Sequence, residues 1–193
     1  DLIDELSLIL ENTNNTRVLN MDALKFDFNS IKSKIRVIGN LPYNISTEII
    51  FKICNIKNII DAHFMLQKEV VDRIVAKPNN KTYGRLSVMA QTYFKTKKLF
   101  DISENVFIPR PQVKSSFIRL IPIGSIFSDN QHEEYFSNIV KSAFEGRRKM
   151  IRSSLNNYMS EKDFSTIGID SKSRAENLSV KDYLRISKYV KEI

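Results

Sequence analysis

The stretch Arg36-Val37-Ile38-Gly39-Asn40-Leu41-Pro42-Tyr43-Asn44 reads as a short apolar strand that runs directly into a proline turn. Ser46 or Thr47 then stands where a cap is expected for a helix over residues 48–52. The same alternation continues downstream. Residues 61–67 read as a strand, 68–76 as a helix stopped before Pro78, 86–94 as a helix, and 97–101 and 115–121 as strands. Upstream, apolar residues at helical spacing predict a helix over 1–10, a polar breaker over 12–16 and a short buried strand over 17–21 that ends at Asp22. Strands alternating with helices predict an α/β fold with a largely parallel, doubly wound sheet.

The texture changes after Pro122-Ile123-Gly124-Ser125: residues 131–144, 147–158, 161–167 and 180–190 all read as helices. A boundary near Gly124 is expected, with residues 1–123 forming an α/β domain and 124–193 a small all-helical one. Across the chain, 30 Lys and Arg against 22 Asp and Glu leave a net charge of +8. From Arg73 to Ser128 lie ten basic and two acidic residues, so this stretch carries the whole excess. Such concentration suits a polyanion-binding face, and equally a solvated lysine-rich surface. No apolar run approaches the ~20 residues of a membrane span. One cysteine, Cys54, allows neither an internal disulfide nor a structural zinc site, and a reducing cytoplasm is expected. His63 and His132 have no partners at ligand spacing, so no metal is expected.

Chemistry concentrates at Asn40-Leu41-Pro42-Tyr43, which leaves a strand at its carboxyl end, where open α/β sheets keep their ligand crevices. Methylating an exocyclic amine requires freeing a lone pair that is delocalised into the base. Hydrogen bonds to both amine hydrogens achieve this, and the Asn40 side-chain carbonyl and the Leu41 backbone carbonyl are the two acceptors such a turn offers. Pro42 stiffens the turn, and Tyr43 offers an aromatic face to an extruded base. The four residues also suit a plain proline turn with a packing tyrosine. Phe107-Ile108-Pro109-Arg110-Pro111-Gln112-Val113 is a rigid extended loop able to hold Phe107 opposite Tyr43, or to bury Phe107 in the core. Asp22 is positioned to accept from the amino group of an adenine, or simply to turn the chain. Arg147, Arg148, Lys149 and Arg152 gather cations at the start of a predicted helix, where the dipole favours acids, so phosphate or solvent must offset them.

Six segments in the right order resemble the ribosomal RNA adenine dimethyltransferases. They are residues 37–47, Phe64-Met65-Leu66-Gln67-Lys68-Glu69-Val70-Val71-Asp72-Arg73, Tyr83-Gly84-Arg85-Leu86-Ser87-Val88-Met89-Ala90-Gln91, residues 107–113, Phe144-Glu145-Gly146-Arg147-Arg148-Lys149, and Arg174-Ala175-Glu176-Asn177-Leu178-Ser179. The nearest branch is the bacterial small-subunit, kasugamycin-resistance type. The resemblance implies a Rossmann-like class I methyltransferase sheet and a helical domain that grips rRNA. It implies transfer of methyl groups from S-adenosylmethionine to N6 of two adjacent adenines in the 3′-terminal hairpin of 16S rRNA, during assembly of the small subunit, by a monomer. Asn40, Leu41, Pro42, Tyr43 and Phe107 would hold the target adenine. Asp22 and Asn40 would touch the cofactor, and Arg147, Arg148, Lys149, Arg152 and Lys114 the rRNA.

The chain departs from that family in two respects, for neither the glycine-rich loop after the first strand nor the acidic residue that ends the second strand and holds the ribose hydroxyls is present. Its glycines, Gly39, Gly84, Gly124, Gly146 and Gly168, are too scattered for the glycine-rich loop that cradles the methionine end of the cofactor. Asp1-Leu2 resembles the segment after the second strand of such a sheet, so at least one βαβ unit, roughly 30 residues, is expected to be missing. A chain so cut is expected to bind the cofactor poorly and to be inactive alone. Two other readings stay open: a non-catalytic RNA-binding or ribosome-assembly factor on the same scaffold, and a resistance methyltransferase acting on large-subunit rRNA.

Overall fold

The computed structural model describes every residue except Asp1, Asn12, Asn14, Asn55 and Ser125, and at Leu2 the backbone alone. Asp1 of the expected first helix, Asn12 and Asn14 of the breaker and Ser125 of the boundary segment therefore lie outside the described residues. Four strands form one sheet: β1 (Ile35–Asn40), β2 (Ile59–Gln67), β3 (Phe94–Ile102) and β4 (Ser115–Pro122), in the order β1-β2-β4-β3. The helices are α1 (Leu2–Leu10), α2 (Ser46–Ile53), α3 (Lys68–Val75), α4 (Arg85–Tyr93), α5 (Asn130–Glu145), α6 (Ile151–Ser154), α7 (Glu161–Thr166) and α8 (Val180–Glu192).

β1 pairs with β2 in parallel through the α2 crossover, as the alternation predicts. Both pairings of β4 are antiparallel, which corrects the expectation of a largely parallel sheet. The reason lies in the connection. No α-helix separates β3 from β4, and a return without a crossover helix brings the chain back antiparallel. β1 turns Val37 and Gly39, both half-buried, inward and Arg36, Ile38 and Asn40 out. Ala62, Phe64 and Leu66 of β2 and Ile118 and Leu120 of β4 meet Ile50 and Ile53 of α2 and Val71 and Ile74 of α3 in the sheet core.

A second core lies among the helices. Phe136, Ile139, Val140 and Ala143 of α5 pack with Ile151, Leu155, Phe164, Tyr183 and Ile186. It also takes in Ala76, Tyr83 and Val88, which precede Gly124 in the chain. Asp61, with no exposed side-chain surface, fastens three strands: it accepts from Arg36 Nε of β1 at 2.6 Å and from Arg119 Nη2 of β4 at 2.7 Å. The hydrogen bond from Arg36 leads in holding its carboxyl below the usual range, against the opposing effect of burial.

Three local expectations need correction. Residues 17–21 form no strand, and all but Val18 are exposed. Three apolar residues interrupted by Asn20 supply too little burial to secure a ladder, and it is Leu24 and Phe28 further on that pack against the sheet core. Residues 147–158 are not one helix. The Lys149 amide donates to the Gly146 carbonyl at 2.7 Å, Met150 bridges Arg174, and the Ile151 amide donates to Ser173 O at 2.7 Å, so only Ile151–Ser154 is helical. Neither Ser46 nor Thr47 caps α2. Ile45 occupies the cap position without a side-chain bond, and Ser46 Oγ donates back to Tyr43 O at 3.2 Å.

Candidate active site

At the carboxyl end of β1, Asn40 is the last ladder residue, opposite Met65 of β2. The chain leaves the ladder as the Leu41 amide donates to Met65 O at 3.3 Å, and the Ile45 amide closes a turn onto Pro42 O at 3.2 Å. The proline fixes one arm of that turn, and α2 begins at its end. The Leu41 side chain is buried, whereas Tyr43 is 46% exposed. Among the described residues, neither the Asn40 side chain nor the Leu41 carbonyl takes part in a hydrogen bond, so two acceptors stand free side by side.

The loop after β3 faces this turn. Ser103 Oγ accepts from the Asn105 amide at 3.3 Å, opening a 3-10 turn over Glu104–Val106, and the Phe107 amide donates to Glu104 O at 3.4 Å. Arg110 Nη2 donates to Glu104 Oε1 at 2.8 Å, closing residues 104–110 into a ring. A backbone hydrogen bond within Glu104 and then the Arg110 guanidinium hold its carboxyl below the usual range. Turn and loop together enclose a cavity of about 290 Å3 lined by Asn40, Leu41, Pro42, Tyr43, Met65, Phe107, Pro109, Pro111 and Ser115. The structure thus brings together all five residues that the sequence nominates for the base. Met65 and Ser115 were not nominated. Strand pairing, which sequence periodicity does not reveal, carries them there, although β-sheet alternation fits Met65 facing the same way as His63 and Asp61.

A second hollow, of about 280 Å3, runs along β1 and shares Leu41 with the first. Leu19, Met21, Phe26, Val37 and Ile38 are among the residues of its apolar lining. Asp22 sits at its rim between Met21 and Ala23. Its Oδ1 accepts from the Leu24 amide at 2.9 Å, and Lys52 of α2 holds the same turn by donating to Leu24 O. The other Asp22 oxygen bonds to nothing among the described residues. An apolar hollow beside a free carboxylate oxygen could take an adenine ring bearing an exocyclic amine.

The basic residues are far less uniform than the sequence implies. Arg147 donates to Glu176 Oε2 from Nε at 3.1 Å and from Nη2 at 3.0 Å, and also to Lys81 O. Arg152 pairs with Glu161, whose carboxylate also accepts from Ser171 at 2.9 Å. Arg148, Lys149 and Lys114 are exposed and make no ion pair among the described residues. The three cations Arg147, Arg148 and Lys149 follow the end of α5 and do not begin a helix, so the dipole there favours them without any phosphate.

An α/β sheet with a ligand-sized pocket at the carboxyl ends of β1 and β2 places its site where open α/β sheets keep their ligand crevices. The ribosomal RNA adenine dimethylase family matches residues 1–192. A ribosomal RNA small subunit methyltransferase A of Nitrosospira multiformis is 46% identical over 173 residues, covering 89% of this chain and 67% of its own length. That of Neisseria meningitidis serogroup A is 43% identical over 170 residues, covering 88% and 66%. A crystal structure of a dimethyladenosine transferase from Plasmodium falciparum aligns with a TM-score of 0.78 at 26% identity, over 96% of this chain and 76% of that one. The chain belongs to the ribosomal RNA adenine dimethylase family. It spans about two thirds of the length of the curated relatives it matches, and its fold is that of the Rossmann-like rRNA methyltransferases. Among the described residues no helix is long and apolar enough to cross a membrane.

Proposed function

We propose that this protein transfers methyl groups from S-adenosylmethionine to N6 of two adjacent adenines in the 3′-terminal hairpin of 16S rRNA. The observation that carries the reading is the pair of unengaged acceptors at Asn40 and Leu41 inside a cavity walled by Tyr43 and Phe107. An adenine drawn out of its stack lies between the two rings, and stacking offsets the few kcal/mol, roughly, that unstacking costs. The Asn40 side-chain carbonyl and the Leu41 carbonyl accept the two N6 hydrogens and turn the nitrogen lone pair out of conjugation with the ring. Pro42 keeps both acceptors in register. Asp22 and the apolar hollow hold the adenine end of S-adenosylmethionine, with Asn40 between the two sites. When bound, that cofactor supplies an electrophilic methyl group. The amine proton leaves to solvent after transfer, and the remaining N–H presents itself for the second round.

In this reading residues 1–123 belong to the methyltransferase domain and 124–193 to a helical domain that binds rRNA. Arg148, Lys149 and Lys114 meet phosphates directly, whereas Arg147 and Arg152 brace the surface through their ion pairs. The substrate is 16S rRNA in the immature small subunit, in the cytoplasm, and the protein acts as a monomer. Asn40→Ala in the full-length protein is expected to abolish methyl transfer to small-subunit rRNA, measured with radiolabelled cofactor, and to leave rRNA binding intact. Turnover at the wild-type rate by that variant would overturn the assignment.

A further inference from the structure

Four residues beyond Tyr43, on the first turn of α2, Thr47 opens a separate groove of about 390 Å3. Phe51 of α2 and Leu86 and Met89 of α4 form its apolar wall, and Arg73 of α3 and Arg85 of α4 form its rim. The walls are firmly joined. Ser87 Oγ of α4 donates to Arg73 O, and Gln91 Nε2 donates to Ile74 O at 2.8 Å and Ala76 O at 2.7 Å, so the end of α3 is held against α4. Arg85 makes no ion pair among the described residues, and Arg73 makes only an exposed one, 3.8 Å from Glu69. Two guanidiniums beside an apolar slot match a nucleotide, which carries a flat base and a phosphate on one unit. Tyr43 of the base pocket and Thr47 of the groove lie four residues apart, across the turn that leads into α2.

We infer that this groove is a flanking-nucleotide subsite: it takes the base next to the target adenine against Phe51, Leu86 and Met89, with its phosphate on Arg73 and Arg85. The inference rests on the reading of the protein as an rRNA adenine methyltransferase and adds a second contact on the same strand. Its test is fluorescence anisotropy of a labelled rRNA hairpin with two adjacent adenines, titrated with this chain over a series of salt concentrations. The doubly substituted Arg73→Gln, Arg85→Gln protein is expected to bind about tenfold more weakly, with a salt slope shallower by about 0.7 to 0.9 for the lost phosphate. An abasic residue placed at each flanking position in turn is expected, at one of them, to weaken wild-type binding by about tenfold. The same abasic hairpin is expected to cost nothing further in Leu86→Glu. Circular dichroism of each variant guards against misfolding. Wild-type affinity and slope in the arginine variant, or indifference to both abasic positions, would overturn the subsite while leaving the methyltransferase reading standing. Failure of the unsubstituted chain to bind the hairpin would instead bring down that reading and the subsite with it.

Discussion

Gly39 stands one residue before Asn40, and a Cβ there would meet Leu41 Cδ2 at 3.0 Å and the Phe64 ring at 3.6 Å. Its backbone is ordinary strand, so the need for glycine is one of space and not of conformation. The neighbour it would push is the residue whose carbonyl is the proposed second acceptor. Gly39→Ala is therefore expected to cost only about 1 kcal/mol of stability, the scale of mild overpacking. Methyl transfer is expected to fall much further than that loss explains. Urea unfolding beside a turnover assay on the full-length protein separates the two effects; equal losses would deny the link. The sequence shows Gly39 plainly but not its reason. Spacing puts it on the inward face of β1, whereas the clash with Leu41 exists only once the chain has turned at Pro42.

At the scale of elements, the 103–113 loop is shaped by an ion pair as well as by its prolines. Ile108 and Arg110 are exposed at its tip, while Phe107 and Pro111 are half-buried, and the Glu104–Arg110 bond ties the tip to its base. The local pattern made the loop legible as rigid, because two prolines restrict it. The clamp was not legible, since Glu104 and Arg110 read in sequence as two more surface charges. The Glu104 carboxyl is held below its ordinary value of 4.5. A lowered folded-state value means that the clamp contributes fully above that pH and is lost as the pH falls below it. Amide exchange of Asn105, Val106 and Phe107 is expected to quicken as the pH drops through that window, after correction for the intrinsic pH dependence of exchange. Glu104→Gln should show the fast behaviour at neutral pH already. Unchanged protection in the variant would mean that the prolines suffice. The same reasoning explains the misreading of 147–158: helical apolar spacing persists there, but the Met150–Arg174 bridge, a contact between distant residues, wins over local propensity.

Across the whole molecule, the change of texture at Gly124 in the sequence marks where strands stop, yet the two cores meet earlier and share elements. α4 faces both: Val88 lies in the helical core, Ala90 and Tyr93 in the sheet core, and Met89 touches each. Residue-by-residue reading assigns a helix one buried stripe, so a helix buried on two sides between cores is hard to see before folding. Phe127 is the other shared residue. Its ring lies 6.0 Å from Tyr93 on one side and 5.2 Å from both His132 and Phe136 on the other. Beside it, Tyr93 Oη donates to Glu133 Oε1 at 2.5 Å, so α4 and α5 are joined by a polar and an aromatic contact together. Burial and that bond push the Tyr93 hydroxyl far above its ordinary value, so it remains a donor across the working pH range. Two cores joined in this way should open as one unit, because opening either strips Phe127 of its contacts with the other as well as uncovering α4. Phe127→Ala removes the aromatic bridge while leaving both cores complete. It is expected to cost about 2 kcal/mol, less than a fully buried phenylalanine would, and to let the helical core open on its own. Native-state amide exchange supplies the measurement, with Phe64 of β2 reporting the sheet core and Val140 of α5 the helical one. In the unsubstituted protein both amides should exchange with the same opening free energy. In Phe127→Ala the Val140 amide should exchange at a distinctly lower one, and parallel behaviour of the two in the variant would show that α4 alone couples the cores.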